Sequence, residues 1–217
     1  MTTPHRPLLP VGGGWRRRKN RTHTMGYSAR IFDFDGTLVD TGTLNLTSCH
    51  AALCCYTSIT VPCASLQLAP LGDLAAFRRW LIREHKVVLP CTDAEWVAAV
   101  RVRWLASAVD HLRELPAARL ARAAAARGPV AVASSNDGQV VRAGLRFIGL
   151  AETISTVVAR EDVAALKPAP DAYLAAAAQL DVPAQECLAY ENTDEGVLAA
   201  QTASMDVIDV RCIRRNP

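Results

Sequence analysis

The chain has 217 residues, 50% of them apolar and 21% charged, which is globular composition and enough length for one large domain or a domain with an insertion. It contains no uninterrupted apolar run that approaches the length of a membrane-spanning helix, so we expect no membrane partner. Residues 1–30 hold seven Lys or Arg and no acid, whereas the rest of the chain has 17 basic and 21 acidic residues. The net charge of +3 therefore comes from the N-terminal segment, and we expect no nucleic-acid partner for the acidic body.

Residues 1–27 form a basic tail rich in Gly, Pro and Thr, which we expect to be disordered. Three explanations stay open for it: an upstream start, a targeting peptide or a nucleic-acid-binding arm. The targeting explanation is weaker because no apolar region follows the arginines, and the arm is the weakest because basic runs are usually solvated. We favour translation from near Met25, or a dispensable tail.

A short buried strand is predicted over 28–33, and helical patterning follows from about Leu44 to Leu112. Aromatic and aliphatic residues recur there at helical spacing, which indicates helix-packing core rather than a ligand-binding box; they are Leu74, Phe77, Trp80, Leu81, Trp96, Val100 and Trp104. Pro62, Pro70 and Pro90 punctuate the segment as helix boundaries would. We interpret residues 42–114 as an all-helical cap inserted into a core of residues 28–41 and 115–217.

The rest of the chain alternates helices and strands. An Ala-rich helix is predicted from Pro116 to Arg127, stopped by Gly128 as a C-cap, and further helices over 138–148, from Pro170 and over 195–203. Strands are predicted over Val130 to Ala133, Ile154 to Val158, Cys187 to Tyr190 and Val207 to Val210, and Lys167-Pro168-Ala169-Pro170 is predicted to be extended. This alternation predicts an α/β fold, a doubly wound, Rossmann-like, mostly parallel sheet with helices on both faces.

Seven cysteines are present without a Cys-x-x-Cys pair. Four of them, Cys49, Cys54, Cys55 and Cys63, cluster beside His50, but zinc ligands are usually paired at tighter spacing. Free thiols in a reducing cytoplasm are the favoured interpretation, and we expect a cytoplasmic protein.

The run Asp33-Phe34-Asp35-Gly36-Thr37-Leu38 is the most informative stretch of the chain. Side chains two residues apart at a strand end leave on the same side, and two such carboxylates repel each other unless a cation or a shared proton relieves them. Mg²⁺ suits a few carboxylates and carbonyls with retained waters. A calcium loop needs more oxygen ligands at alternating positions than the residues after Gly36 supply. The run therefore predicts a catalytic magnesium site.

Polar clusters also follow other predicted strands: Ser134 with Ser135, then Lys167, then Glu191 with Asn192. In an open parallel sheet, ligands bind beyond the carboxyl ends of the strands, at a topological switch point. The clusters suit phosphoryl transfer. Asp33 can attack phosphorus, and Asp35 can act as acid and then as base. The serines and neighbouring N–H groups can bind phosphate oxygens, and Lys167 can neutralise the developing charge.

The order and spacing of these clusters resemble the haloacid dehalogenase superfamily of hydrolases over about residues 28–210. The stretches that carry the resemblance are 31–40, 132–135, 166–171 and 188–200. The resemblance implies that Asp33 is the nucleophile, Asp35 the acid/base, Ser134 a phosphoryl ligand and Lys167 the residue that steadies the nucleophile. It also implies Mg²⁺ held by Asp33, Asp35, Glu191 and Asn192. The gap of about one hundred residues between the first two motifs matches the subgroup with a helical cap, similar to β-phosphoglucomutase and phosphoglycolate phosphatase.

The chain departs from the family pattern at three places. Asn192 stands where an Asp is usual, so metal affinity should fall unless Glu191 or Asp194 compensates. Ser204 stands where a Gly is common, which predicts strain in that turn. The sequence given stops soon after the strand predicted at 207–210, where the family usually adds another element, so we expect part of one sheet face to be exposed.

We therefore predict a monomeric, magnesium-dependent phosphatase that hydrolyses a small phosphorylated metabolite through an aspartyl-phosphate. Asn45, Arg78 and Arg79 are candidate selectors of the leaving group. Two alternatives stay open: a phosphosugar mutase, and a catalytically weakened phosphate-binding or regulatory protein, which Asn192 motivates. The mutase branch typically has a His twelve residues after the nucleophile, where this chain has Asn45, and Asp35 argues against halide displacement.

Overall fold

The computed structural model describes residues 26–59, 61, 62, 65 and 73–215, with the side chains of 213–215 left out. Most of the predicted tail, together with Cys63 and Pro70, lies outside the described residues. The predicted tail extends too far at its C-terminal end, because the Tyr27 hydroxyl donates a hydrogen bond to Asp206 Oδ2 at 2.9 Å. This contact joins the chain before the first strand to the edge of the sheet.

Five parallel strands form the central sheet in the order β5–β4–β1–β6–β7. They are β1 (Ala29–Phe32), β4 (Val130–Ala133), β5 (Thr156–Val158), β6 (Cys187–Glu191) and β7 (Asp206–Asp209). Phe32 at the end of β1 is in register with Val132 of β4 on one side and Tyr190 of β6 on the other. The chain runs from β1 to β4 and β5 on one side of β1 and then returns to β6 and β7 on the other side. The carboxyl end of β1 is therefore a topological switch point, and the predicted doubly wound parallel sheet is confirmed.

Two pairs of helices cover the two faces of this sheet: α4 (Pro116–Ala125) with α5 (Gly138–Phe147), and α6 (Asp171–Gln179) with α7 (Asp194–Thr202). Successive residues of β1 point to opposite faces. Phe32 packs with residues of α4 and α5, and Ile31 packs with the alanine-rich faces of α6 and α7. The two apolar layers hold the ends of β1, β4 and β6 side by side.

A helical segment, defined here as residues 42–111, contains α1 (Gly42–Leu53), α2 (Leu74–His85) and α3 (Asp93–His111) in its described part. Phe77 and Trp96 are fully buried between these helices, as expected for packing core. The insertion was predicted to be helical to residue 114, but Arg113–Glu114 forms a short strand, β3, antiparallel to β2 (Val39–Asp40). This two-stranded ribbon joins the segment to the core. None of the described helices is both long and apolar enough to cross a bilayer.

Local features account for the other differences from the prediction. The Lys167–Pro168 peptide is cis, and the Ala169 N–H donates to the Leu166 carbonyl at 3.0 Å, so the segment predicted to be extended is a turn. Helix α4 ends at Ala125, before the predicted Arg127, with a right-handed C-cap, and Gly128 is not its cap. Ser204 has φ +66°, the left-handed conformation that glycine adopts freely.

Candidate active site

Asp33 directly follows β1 and lies in a nearly closed, charged environment. Its side chain is 10% exposed, and the Oδ1 atom accepts a hydrogen bond from Lys167 Nζ at 2.7 Å. The Oδ2 atom is buried without a hydrogen-bond partner among the described residues. Buried carboxylate oxygens normally have partners, so this atom is available to a group that the protein itself does not supply.

Lys167 lies in the turn before α6 and uses all three donors. Besides Asp33, its ammonium donates to the Ala133 carbonyl at 2.9 Å and to Glu191 Oε1 at 2.5 Å. The ammonium also lies 5.0 Å from the centroid of the Tyr173 ring. Burial alone would lower the pKa of Lys167, but the two carboxylates outweigh it and raise the pKa, so the side chain stays charged.

The buried cluster of Asp33, Lys167 and Glu191 contains two carboxylates and one ammonium. The pKa of Asp33 is raised to about 7, chiefly by burial and then by the Glu191 charge, against the opposing Lys167 ammonium. With both acids ionised the cluster carries one uncompensated negative charge. A cation beside Asp33 would relieve that charge.

Glu191 ends β6 and is fully buried. Its Oε1 accepts hydrogen bonds from Lys167 and from the Tyr173 hydroxyl at 2.8 Å, and its Oε2 accepts from the Asn192 and Thr193 N–H groups at 2.9 and 3.3 Å. A Cβ on Gly196, in the first turn of α7, would lie 2.0 Å from this carboxylate, so the close approach needs glycine. Glu191 was predicted as a metal ligand, but the structure turns both oxygens toward protein donors.

Asp35 has a different environment, made of neutral donors. Its Oδ1 accepts from the Thr41 hydroxyl at 2.6 Å, and the Asn136 amide donates to both carboxylate oxygens at 3.1 and 3.2 Å. The Asn45 amide of α1 approaches Oδ1 at 3.4 Å. The two carboxylates have separate hydrogen-bond partners, but the Asp35 charge still acts on Asp33, since it is among the causes that raise the pKa of Asp33.

Ser134 and Ser135 follow β4, at the same edge of the sheet. Ser134 is 1% exposed, and its hydroxyl accepts the Asn136 N–H at 3.0 Å, which leaves its own proton to donate. Ser135 is half-buried in the next position. Asn136, the next residue, therefore links the serine loop to Asp35.

Asn192 lies beside the loop that follows Asp35. Its Oδ1 accepts from the Thr37 hydroxyl at 3.3 Å. Gly36 has φ +77°, and a Cβ there would lie 2.1 Å from the Asn192 amide, so both the backbone and the space require glycine. No group of three or more His, Cys, Asp or Glu is arranged to hold a metal in the described part of the chain. A metal at this edge would depend on two aspartates and an amide oxygen.

Two predicted selectors of the leaving group have structural roles instead. Arg78 pairs with Asp93 at 2.9 Å and donates to the Leu89 carbonyl at 3.1 Å, and Arg79 also contacts Asp93, so both stabilise the turn before α3. The third, Asn45, borders a narrow cleft beside Asp35 together with Arg101, Trp104, Asn136 and Asp137.

Two ion pairs connect the helical segment to the core near this cleft. Arg101 of α3 pairs with Asp137 at 2.8 Å, and Asp73, the N-cap of α2, pairs with Arg160 at 3.0 Å. Asp137 also caps α5, accepting from the Gln139 N–H at 2.9 Å.

The six cysteines for which the structure describes a thiol state are free.

Sequence reasoning missed Thr41, Asn136 and Tyr173, which contact Asp35 or Glu191 directly. Asn136 belonged to a polar strand end and could have been included on that ground. No local pattern marks Thr41 or Tyr173, because each is an ordinary residue of a loop or helix until the fold brings it to the site.

Comparisons with known proteins agree with this geometry. The family described as Haloacid dehalogenase-like hydrolase matches residues 30–210. Fructose-1-phosphate phosphatase YqaB of Escherichia coli (strain K12) is 28% identical over 86% of this chain and 98% of its own length. YhcW of Bacillus subtilis (strain 168) is 31% identical over 84% of this chain and 82% of its own.

A solved structure with a similar fold is CbbY from Rhodobacter sphaeroides in complex with phosphate. It superposes with a TM-score of 0.75 at 26% identity, over 84% of this chain and 85% of that protein. A second structure of CbbY contains xylulose-(1,5)bisphosphate, with the same TM-score of 0.75. The predicted superfamily is thus confirmed, and the chain belongs to the haloacid dehalogenase-like hydrolase family.

Proposed function

We propose that this hydrolase is a magnesium-dependent phosphatase that transfers the phosphoryl group of a small metabolite to Asp33 and then to water. The observation that carries the proposal is the environment of Asp33. One of its oxygens is held by Lys167, and the other is buried at the carboxyl end of the central strand without a partner among the residues that the structure describes.

In the proposed first step, the free Asp33 oxygen forms a bond to phosphorus while the bond from phosphorus to the leaving oxygen breaks. Asp35 gives its proton to that leaving oxygen. Lys167 stabilises charge on the carboxylate and on the transferring group, and Ser134 with Ser135 binds phosphoryl oxygens. In the second step a water molecule gives a proton to Asp35 and attacks the aspartyl-phosphate, which releases inorganic phosphate and restores Asp33.

The donor set fits Mg²⁺. The Asp33 oxygen without a partner among the described residues favours a cation, as does the negative charge that the cluster carries when Asp33 is ionised. An ion that keeps several of its waters needs few carboxylates. Asp33, Asp35 and Asn192 would hold it. Glu191, the fourth predicted ligand, is assigned to orienting Lys167, since it is fully buried and one of its oxygens already accepts from the Lys167 ammonium. When bound, the ion would neutralise negative charge on the phosphate group.

The helical segment is assigned the role of a cap. Its helices α1 and α3 border the cleft beside Asp35, and two ion pairs hold it against the core. A cap in this position would exclude water during the first step and contact the leaving group.

A sugar phosphate is the proposed substrate class. YqaB acts on fructose 1-phosphate by its name, and CbbY binds xylulose-(1,5)bisphosphate in a solved structure. The acidic body, the absence of a disulfide among the described cysteines and a self-contained site support a monomeric cytoplasmic enzyme without a nucleic-acid partner.

The test measures phosphate release from p-nitrophenyl phosphate and from fructose 1-phosphate with Mg²⁺ and with EDTA. We expect turnover only with Mg²⁺ and its loss in Asp33→Asn. The matched control is Asp40→Asn, which changes an exposed acid at the end of β2 and should retain wild-type turnover. Borohydride reduction during turnover should convert Asp33, and no other acid, to homoserine. Metal-independent turnover, or an active Asp33→Asn variant, would refute the proposal.

Asn192 favours one second candidate, a phosphate-binding protein without turnover. An amide in place of a carboxylate leaves one formal negative charge fewer for the cation. This candidate predicts saturable binding of inorganic phosphate with no phosphate release from any ester, whereas the phosphatase predicts both binding and release.

A further inference from the structure

Trp104 of α3 connects to Asp35 through a chain of hydrogen bonds. Its indole Nε1 donates to Asn45 Oδ1 at 2.8 Å, and the Asn45 amide nitrogen faces both Asp35 Oδ1 and Thr41 Oγ1 at 3.4 Å. Thr41 in turn donates to the same Asp35 oxygen at 2.6 Å. The carboxylate is therefore linked to a helix more than sixty residues further along the chain.

The indole determines which way the Asn45 amide points. An indole N–H can only donate, so the atom of Asn45 that faces Trp104 must be the oxygen, and the amide nitrogen must face Asp35. Trp104 is itself immobilised, because it is 2% exposed and packs in an apolar cluster with Leu44 of α1 and Val140 of α5. The cluster spans the helical segment and the core.

We propose that Trp104 is a positioning residue for Asp35, acting through Asn45; this rests on the proposed function, in which Asp35 is the general acid and base. Asn45, oriented by Trp104, reaches the carboxylate from the helical segment, whereas Asn136 reaches it from the core. Packing of the two parts therefore adds a donor to a carboxylate that Thr41 and Asn136 already hold. Proton transfer to the leaving group thus depends on a residue that contacts neither substrate nor Asp35.

The ordinary alternative is that a buried indole N–H has simply found an acceptor. The chain supplies a matched control for that alternative. Trp96 lies on the same helix α3 and is fully buried, but its Nε1 has no hydrogen-bond partner in the described part of the chain. Trp96→Phe and Trp104→Phe remove the same atoms from the same helix, and only the second removes a hydrogen bond.

The test compares phenyl phosphate with p-nitrophenyl phosphate in the Mg²⁺-containing full-length enzyme. Phenolate is the poorer leaving group and needs the acid more. We expect Trp104→Phe to lower kcat/KM for phenyl phosphate about tenfold and for p-nitrophenyl phosphate by less than about threefold. Trp96→Phe should lower both equally or neither. Equal losses for both esters in Trp104→Phe would mean general damage and would overturn the proposal.

A second variant guards against a packing defect at Trp104. Asn45→Ala should produce the same selective loss, and the double variant should lose no more than either single one, since both interrupt one chain of contacts. The Asn45 side-chain NH₂ signal in NMR should shift in Trp104→Phe and stay in place in Trp96→Phe. An unshifted signal refutes the hydrogen-bond chain. A wild type that hydrolyses neither ester refutes the proposed function instead.

Discussion

The two acids of the candidate active site, only two residues apart, have opposite surroundings. Asp33 contacts an ammonium that is shared with a second buried carboxylate, and every partner comes from the core. Asp35 accepts hydrogen bonds from three neutral groups. They are the Thr41 hydroxyl between β2 and α1, the Asn45 amide of the helical segment and the Asn136 amide of the core. The proposed nucleophile is thus held within the core alone, whereas the proposed acid/base also accepts a hydrogen bond from the helical segment.

The contacts of the two acids also differ in how much they contribute to the free energy of unfolding. A buried ion cluster with excess charge is costly to break, because removing one partner leaves a charge without compensation. Neutral hydrogen bonds to an exposed or half-exposed carboxylate contribute less, about 1 kcal/mol each. Changes on the Asp33 side should therefore have large effects on both stability and turnover, and changes on the Asp35 side smaller and more selective ones.

The largest effect is expected for Lys167→Met, which keeps the length of the side chain and removes its charge. Asp33 and Glu191 then lose their shared cation, so we expect kcat/KM for p-nitrophenyl phosphate to fall about 1,000-fold and the free energy of unfolding by about 3 kcal/mol. Urea unfolding and steady-state kinetics measure the two effects. Lys86→Met, an exposed lysine, is the control.

Adding Glu191→Gln to Lys167→Met removes the second charge and should restore much of the lost stability without restoring turnover. A double variant as unstable as the single one would show that the charge cluster is not the cause.

Thr41→Val tests the Asp35 side, because it removes the 2.6 Å hydrogen bond at nearly constant shape. We expect kcat/KM for phenyl phosphate to fall about 10- to 30-fold, with a loss of about 1 kcal/mol in unfolding free energy. Thr47→Val, on the exposed side of α1, removes a hydroxyl that donates only to its own helix and should change neither value. A Thr41→Val loss as large as that of Lys167→Met would contradict the comparison.

Asn192→Asp replaces an amide by a carboxylate at the third proposed Mg²⁺ ligand, beside Asp33 and Asp35. The added charge should lower the Mg²⁺ concentration for half-maximal activity several-fold, since carboxylate number tunes affinity for hard cations. Titration of activity with Mg²⁺ measures this. Gln179→Glu, which adds a charge on the outer face of α6, should leave the titration unchanged.

The smallest effect is expected for Asp73→Asn, at the contact between the helical segment and the core. Burial alone would raise the pKa of Asp73, but the Ala76 N–H and Arg160 outweigh it and lower the pKa. The ionised form is therefore favoured in the folded protein. The stabilisation is complete above the ordinary pKa of aspartate and is lost as the pH falls through the lowered folded value.

Asn retains the helix cap and loses the charge, so wild type should exceed Asp73→Asn in unfolding free energy by under about 1 kcal/mol at pH 7 and by nothing in strong acid. Urea unfolding at both pH values and at raised salt measures the difference. Asp110→Asn, which changes an exposed acid at the end of α3, controls for the general effect of removing one negative charge. An advantage that grows in acid would refute the assignment.

Local sequence patterns were enough to predict the order of the main strands and helices along the chain, and which polar residues follow the strands of the central sheet. Short apolar runs such as Val130 to Ala133 can only be buried strands at that length, and the residues that follow them must emerge at one edge of a parallel sheet. Asp33, Ser134 and Glu191 were predicted on this ground, and each ends or directly follows its strand in the structure.

The hydrogen-bond and ion-pair partners of these residues, by contrast, depend on the packed fold. Glu191 orients Lys167 and meets Tyr173, Arg78 stabilises a turn, and Trp104 reaches Asp35 through Asn45. Contacts of the site join residues as much as 155 positions apart, as for Thr37 and Asn192. Local sequence restricts backbone conformation within a few residues, but the direction of a buried polar side chain depends on which donors the completed packing brings within hydrogen-bonding distance.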